Sequence, residues 1–237
     1  MYRKIMYEKY LSSVNVTNKD LEKSFNNDIS LHKDMEEIMP RDNQAKILDL
    51  GCGYGAFLHM LQKKGYENLY GVELGEEENR FLNSKGLDVA QLDIFEFLEK
   101  DLRKYDLITM FDVLEHFTKN EIVRLIPLIK DRLKSNGILI VRVPNAEAIF
   151  KGSIMYGDFT HETFFTKRSL IQLFNAFNFL SVDVYPVYNF GGTWKARIAK
   201  YLYMGYVSLY KTLLYIDNSP SAEYFIPTQN VIVIIRK

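Results

Sequence analysis

Between the apolar stretch Lys46-Ile47-Leu48-Asp49-Leu50 and a helix-like run from Ala56 to Leu61 lies Gly51-Cys52-Gly53-Tyr54-Gly55. Glycines at this spacing permit a tight turn and bring backbone N–H groups close to a ligand at a helix N-terminus. Gly51, Gly53 and Ala56 also satisfy the G-x-G-x-x-A spacing of a dinucleotide site. Asp49 speaks against a pyrophosphate there, because like charges in a partly desolvated cleft repel. A ligand bearing ammonium and sulfonium groups would be attracted instead.

Three further acids recur at the ends of apolar runs. Glu73, followed by Leu74, closes NLYGVEL 22 residues after Gly51, where a carboxylate can accept hydrogen bonds from both hydroxyls of a ribose. Asp93 with Ile94 closes GLDVAQLD, and an acceptor at that point suits the exocyclic amino group of an adenine. Phe111 and Asp112 close YDLITMFD. Any one of these acids reads equally well as a solvated strand end, but four at four successive ends point to one crevice outside the carboxyl ends of the strands.

Two histidines sit where proton transfer would be useful. His116 follows Asp112-Val113-Leu114-Glu115, and His161 lies in Tyr156-Gly157-Asp158-Phe159-Thr160-His161-Glu162. An imidazole titrating near neutrality is the usual general base for a hydroxyl, provided it reaches it. The positions also admit plainer roles: Glu115 and His116 would cap the next helix, and Asp158 and His161 would hold a loop. His32 and His59 fall inside expected helices and read as structural or solvated.

The elements that must position these groups are legible in the texture of the chain. Leu21, Phe25, Leu31, Met35, Ile38 and Met39 recur at helical spacing over residues 19–39, and Pro40 ends the run. From Lys46, short apolar runs alternate with amphipathic stretches such as EIVRLIPLIKDRL, the pattern of a parallel α/β sheet. Uninterrupted runs such as LITMF and ILIV fit strands buried on both faces. Pro127 falls inside an expected helix and should kink it. Residues 145–166 show no strand repeat, Lys167 to Asn178 reads as a helix, and FLSVDVYPV and NVIVIIRK read as two last strands. Between those strands, Thr193 to Ile216 is a helix candidate with Lys195, Arg197, Lys200 and Lys211, no acid, and Trp194 among five tyrosines. It reads first as a packed lid, with a dimer surface or a contact with an anionic membrane as the other readings. The organisation is thus an N-terminal helical cap over 1–44 and one domain over 45–237, with acceptor-side insertions at 145–166 and 188–229.

Composition narrows the class. The chain has 237 residues, 47% hydrophobic and 25% charged, which fits a globular domain able to bury its own core. A single cysteine excludes an internal disulfide, and 30 basic residues balance 30 acidic ones, so no global field for nucleic acid is expected. Charged residues interrupt the N-terminus and no 18-residue uncharged span exists, so a cytoplasmic protein without a transmembrane segment is expected.

DLGCGYG, GVEL, LDI and YDLITMFDVLEH followed by LKSNGILIVRVPN resemble the successive motifs of class I S-adenosylmethionine-dependent methyltransferases, over about residues 45–187 with NVIVIIRK as the closing strand. The resemblance implies a Rossmann-like three-layer α/β sandwich with a seven-stranded sheet in the order 3-2-1-4-5-7-6, strand 7 antiparallel. It implies that S-adenosyl-L-methionine is held by Asp49, Gly51, Cys52, Gly53, Gly55, Glu73, Leu74, Asp93, Ile94, Phe111 and Asp112. The segment around His161 is similar to methyltransferases associated with bacterial surface-polysaccharide biosynthesis.

On that footing the expected activity is O-methylation of a sugar, nucleotide-linked sugar or glycan. A small phenolic or quinone metabolite is the alternative acceptor, and a non-catalytic cofactor-binding scaffold the alternative class. His161 is the expected base, with Asp158 or Glu162 orienting its ring, His116 as the competing base and Tyr156 shaping the sugar pocket. Asp112, Glu115 and His116 also resemble the divalent-cation cluster of some quinone-type O-methyltransferases, but Asp112 is shorter than the glutamate of that pattern, so no metal is expected. No nucleic-acid partner is expected; a homodimer and a peripheral membrane contact stay open.

Overall fold

The computed structural model of the chain describes residues 6–7, 16–26, 33–188, 193–217, 219 and 221–237. Seven strands form one sheet: β1 (Lys46–Leu50), β2 (Asn68–Glu73), β3 (Val89–Gln91), β4 (Tyr105–Phe111), β5 (Leu133–Pro144), β6 (Ser181–Pro186) and β7 (Asn230–Arg236). Their order is β3-β2-β1-β4-β5-β7-β6. β1 to β5 run parallel, and β7 is antiparallel to both β5 and β6. This is the Rossmann-like order that the resemblance implies.

Helices cover both faces of the sheet, and the apolar runs are continuous for that reason. The helices on one face are α5 (Ile94–Lys100), α6 (Lys119–Arg132) and α8 (Lys167–Ala176), which bury Leu48, Ile108, Met110, Leu139, Val141 and Val233. On the other, α2 (Lys33–Ile38) and α3 (Ala56–Lys63) cover Ile47, Leu107, Ile140, Ile232 and Ile234. Alternation along β1 therefore sends Ile47 and Leu48 into different cores, each 0% exposed. Truncating either to alanine would cost about 2–5 kcal/mol, in part through the cavity left behind.

Thr118 and Glu121 form a capping box at the start of α6, and Pro127 lies within that helix. Ahead of the domain, α1 (Asn18–Asn26) and α2 stand where the leading helix was expected; residues 27–32, including Leu31 and His32, lie outside the described residues. His59 sits on α3 and stacks on Phe25, with ring centroids 4.0 Å apart. The segment after β5 is not wholly irregular, since Gly152–Tyr156 forms a short helix, α7.

The remaining helices are α4 (Glu76–Ser84), α9 (Trp194–Ile216) and α10 (Ser221–Tyr224). Thr193 caps α9 by accepting the N–H of Ala196 at 3.2 Å. α9 has one buried side chain, Val207, so the long helix is not packed as a lid. Among the described residues no helix is long and apolar enough to cross a membrane.

Candidate active site

The glycine turn after β1 is built by backbone geometry. Gly51, Gly53 and Gly55 have φ of 70°, 53° and 76°, in the left-handed region where a Cβ is strained. At Gly51 a Cβ would also stand 2.5 Å from the side chain of Val113, so the turn and the segment after β4 approach as closely as glycine allows. The N–H groups of Gly51 and Cys52 both donate to the carbonyl of Val72, at 2.8 and 3.0 Å. That leaves Gly53 facing open space, where a Cβ would meet nothing within 4 Å.

Glu73, at the end of β2, is the other half of this corner. Its two carboxylate oxygens accept the N–H groups of Gly53 and Gly75, each at 2.8 Å. Burial raises its pKa, against the pull of those two bonds. Asp93, two residues past β3, caps α5 by accepting the N–H of Phe95 at 2.8 Å. Asp112 stands just beyond β4 in the left-handed region, φ 56°, and is clasped by Arg142 of β5 through Nε, 3.0 Å from each carboxylate oxygen, and through Nη2. Burial opposes the guanidinium charge, but Asp112 more than restores it and raises the pKa of Arg142.

A cavity of about 300 Å³ joins these groups. Its wall includes Gly51, Gly53, Glu73, Leu74, Asp93, Ile94, Phe111, Asp112 and His116 from the expected set, together with Tyr7, Val72, Gly75, Glu78, Val113 and Phe117. Asp49, Cys52 and Gly55 are not in that wall. Asp49 is 2% exposed inside β1 and accepts the hydroxyl of Thr109 at 2.7 Å. Burial pushes its pKa up to about 7, the charge of Glu73 adding to the effect while Thr109 and Arg142 oppose it. Cys52 is buried beneath the turn, and burial with the charges of Asp49 and Glu73 keeps its thiol protonated.

Glu78 and Arg142 are the residues that reading the sequence missed. Glu78 is 5% exposed with Oε2 unpartnered, and burial pushes it up to about 7. Its only signal is its place in the run Glu76-Glu77-Glu78 in the first turn of α4, and that of Arg142 is a charge inside the apolar run ILIVRVP.

At the far end of the wall, His116 belongs to a short 3-10 turn, Leu114–His116, rather than to α6. The loop carrying His161 is tied to it: the N–H groups of Glu162 and Thr163 donate to the carbonyl of Glu115 at 2.8 and 3.0 Å. The Thr163 hydroxyl donates to the carbonyl of Phe117 at 2.7 Å. The rings of His116 and His161 lie 4.9 Å apart.

Both tautomers follow from the hydrogen bonds. The hydroxyl of Thr160 donates to Asp158 Oδ1 at 2.6 Å, so its oxygen accepts the Nδ1–H of His116 at 2.8 Å. A carbonyl can only accept, so His161 donates its Nδ1–H to Met155 at 3.0 Å. In its neutral form each ring then carries its lone pair on Nε2. Burial and the neighbouring His161 lower the pKa of His116, which holds it as a neutral imidazole at neutral pH.

Asp158 reaches His116 through the hydroxyl of Thr160, and the carbonyl of Met155 meets the ring of His161. Glu162 joins the loop tie through its backbone, and Tyr156 is 70% exposed beside Phe164 and outside the cavity wall. Glu115 is 1% exposed with both carboxylate oxygens unpartnered, and burial reinforced by Asp112 raises its pKa well above the ordinary value. One ligand atom each from Glu115, His116 and His161 lie within 4.8 Å of one another, a set able to hold a metal ion.

Residues 28–184 match the model of a family described as methyltransferase domain. No curated protein matches the chain in sequence. Among solved structures, an S-adenosylmethionine-dependent methyltransferase from Archaeoglobus fulgidus is 17% identical with a TM-score of 0.66, over 96% of this chain and 98% of the other. Phosphoethanolamine N-methyltransferase 2 of Haemonchus contortus, solved with S-adenosyl-L-methionine, is 15% identical with a TM-score of 0.63, over 98% of this chain and 60% of its own. A further S-adenosylmethionine-dependent methyltransferase, from Mesorhizobium loti, is 14% identical with a TM-score of 0.57, over 86% and 96%. At such identities the likeness is one of fold.

Proposed function

This chain belongs to the methyltransferase domain family, and on that premise we propose that it is an S-adenosylmethionine-dependent O-methyltransferase acting on a sugar, nucleotide-linked sugar or glycan. The donor, when bound, supplies an electrophilic methyl group on a sulfonium. The residues present suit it. Glu73 stands at the carboxyl end of β2, where a carboxylate meets a ribose diol. Asp93 keeps Oδ2 for an amino group, and Leu74, Ile94 and Phe117 offer apolar surface to a purine. Glu73, Glu78, Asp93 and Asp112 make the wall acidic, which favours a cationic ligand over a dinucleotide pyrophosphate.

The observation that carries a hydroxyl acceptor is the condition of the two histidines. Each has Nδ1 committed, which leaves Nε2 of the neutral ring to accept a proton, and His116 lies in the cavity wall. His161 would take the acceptor hydroxyl's proton at Nε2 as the oxygen gained the methyl group and the sulfonium C–S bond broke to leave a thioether, and its ring would keep the Nδ1–H on the Met155 carbonyl. Holding the acceptor in line and free of water supplies the rest of the acceleration. Exposed faces of Tyr156 and Phe159 near this loop suit the C–H faces of a sugar ring.

Incubation with radiolabelled methyl donor and a panel of nucleotide sugars, glycans and phenols tests this reading. Label in the sugar fractions that depends on His161 supports it. Label confined to phenols overturns the acceptor class, and label that needs neither histidine overturns the mechanism.

One observation favours a second reading of the same cluster. A buried carboxylate with two unpartnered oxygens faces two lone pairs, an arrangement that a divalent cation at Glu115, His116 and His161 would satisfy. A chelator separates the two readings.

A further inference from the structure

A second cleft, of about 190 Å³, opens at the same carboxyl end of the sheet, where Pro144 of β5 pairs with Asn230 of β7. It lies between the segment leaving β5, the residues after β6, the approach to β7 and α9. Its wall is fastened by internal hydrogen bonds. Asn145, 0% exposed, donates through Nδ2 to the carbonyls of Ile226 and Thr228 at 2.7 and 2.9 Å. Tyr203 of α9 donates its hydroxyl to the carbonyl of Pro227 at 2.8 Å. The Gln229 amide donates through Nε2 to the carbonyl of Phe150 at 3.1 Å, which joins the approach to β7 to the acceptor loop.

The lining indicates the chemistry of the occupant. Phe150, Tyr188 and Tyr203 bring three aromatic rings to the cleft, and Thr228, Gln229 and Asn230 bring polar groups. Phe150 is 64% exposed, and one face of its ring stacks on Tyr206 with centroids 6.3 Å apart. Gln229 keeps a second Nε2 proton, and among the described residues its Oε1 accepts nothing, so the amide can serve one hydroxyl that accepts and another that donates. Asn230 Oδ1 is buried without a partner, an acceptor whose lost hydration a ligand hydroxyl would replace. Among the described residues no lining side chain is charged, so a phosphate or nucleotide diphosphate would be desolvated there with no counter-charge. Aromatic faces with amides and no charge suit a neutral sugar, whose ring has apolar C–H faces and a polar rim. At about 190 Å³ the cleft is smaller than the roughly 300–1,000 Å³ of a complete small-molecule site, so it takes one ring of a longer ligand.

We infer that this cleft is a subsite for a further, unreacted neutral sugar residue, so that the acceptor is an extended glycan rather than a single sugar or a nucleotide-linked one. The inference rests on the proposed glycan acceptor and narrows it. Phe150 and Met155, whose carbonyl meets the ring of His161, are five residues apart, at most about 17 Å of chain. A glycan of two or three units with one hydroxyl at His161 covers that separation. Its unreacted unit then stacks on Phe150 and shares hydrogen bonds with Gln229.

Calorimetry with the full chain tests this by comparing methyl glycosides of glucose, galactose, mannose and rhamnose with the linear trisaccharides that each of those sugars terminates. Methyl transfer from radiolabelled donor is followed on the same panel. One of the trisaccharides should bind about 10-fold more tightly than its methyl glycoside, the worth of a hydrogen bond and a ring contact. Gln229→Ala and Phe150→Ala, both at exposed positions, should each remove most of that advantage, and Phe150→Tyr should retain it. Equal binding of trisaccharides and methyl glycosides, no binding of either, or an advantage indifferent to both alanine variants overturns the inference. So does binding of uridine diphosphate that both variants abolish, which would assign the cleft to a nucleotide. Failure of the underlying reading is distinguishable: label confined to phenols overturns the glycan acceptor and this subsite together. Methylated glycosides with no gain from chain length keep the glycan acceptor and overturn the subsite alone.

Discussion

The rings of His116 and His161 lie 4.9 Å apart although 45 residues separate them in the chain. One rides on the turn after β4 and the other on the loop after α7, and the carbonyl of Glu115 binds that loop to that turn. The pair is therefore a product of the tie between two segments at the carboxyl end of the sheet, and its chemistry is open to direct tests.

Replacing His161 by alanine should lower turnover about 10²-fold to 10⁴-fold, the usual contribution of a general base, while calorimetry finds S-adenosylmethionine affinity nearly unchanged. His116→Ala is the comparison. If His161→Ala turns over normally and only His116→Ala is inactive, the base is His116 and the Thr160–Asp158 chain is what orients it.

Glu73→Ala should weaken S-adenosylmethionine and its demethylated product alike by about 1.5–3 kcal/mol, the worth of hydrogen bonds to a charged group. Glu73→Gln should lose less, because its amide oxygen still accepts one of the two N–H groups that Glu73 holds, those of Gly53 and Gly75. Tight binding of a nicotinamide dinucleotide with no heat from S-adenosylmethionine would contradict the assignment of the cavity.

The buried acids set a pH dependence of stability. Asp49 and Glu78 titrate at about 7 in the folded chain, raised by burial from 3.8 and 4.5. Across that interval the folded state holds protons that the unfolded state has released, so stability falls as pH rises. The melting temperature of the ligand-free protein should therefore decline from about pH 5 to about pH 7, and Asp49→Asn should flatten the decline. A melting temperature that rises over this range would refute the burial argument.

Turnover should survive EDTA. Burial, reinforced by the charge of Asp112, raises the pKa of the Glu115 carboxyl and so weakens the pull of the Glu115, His116 and His161 cluster on a cation. Loss of activity on chelation, restored by manganese or magnesium and reproduced by Glu115→Gln, would establish the metal-bound reading in its place.

How far the sequence discloses this molecule depends on the range of the interaction. Strands such as LITMF and ILIV are readable because helices on both faces demand uninterrupted apolar runs. The glycine turn is readable because left-handed backbone at Gly51, Gly53 and Gly55 has few other solutions. Asp49 shows the limit: its type and place are evident, but not that it lies behind the cavity wall on Thr109 of the adjoining strand. The link from Asp158 to His116 spans 42 residues and runs through a threonine hydroxyl, and no local pattern announces it. The helix α9 misleads for a related reason, since apolar residues all round suggest burial, whereas Val207 is its one buried side chain.

Cys52 has a practical consequence. It is the one thiol in the chain, buried under the glycine turn and held protonated by its surroundings, so it is a poor nucleophile toward maleimides and methanethiosulfonates. A cysteine introduced on the outer face of α9 or on the acceptor loop would react nearly alone. The unaltered backbone can thus carry fluorophores or spin labels at chosen sites, and the distance between α9 and the loop becomes measurable in solution without first removing a native residue.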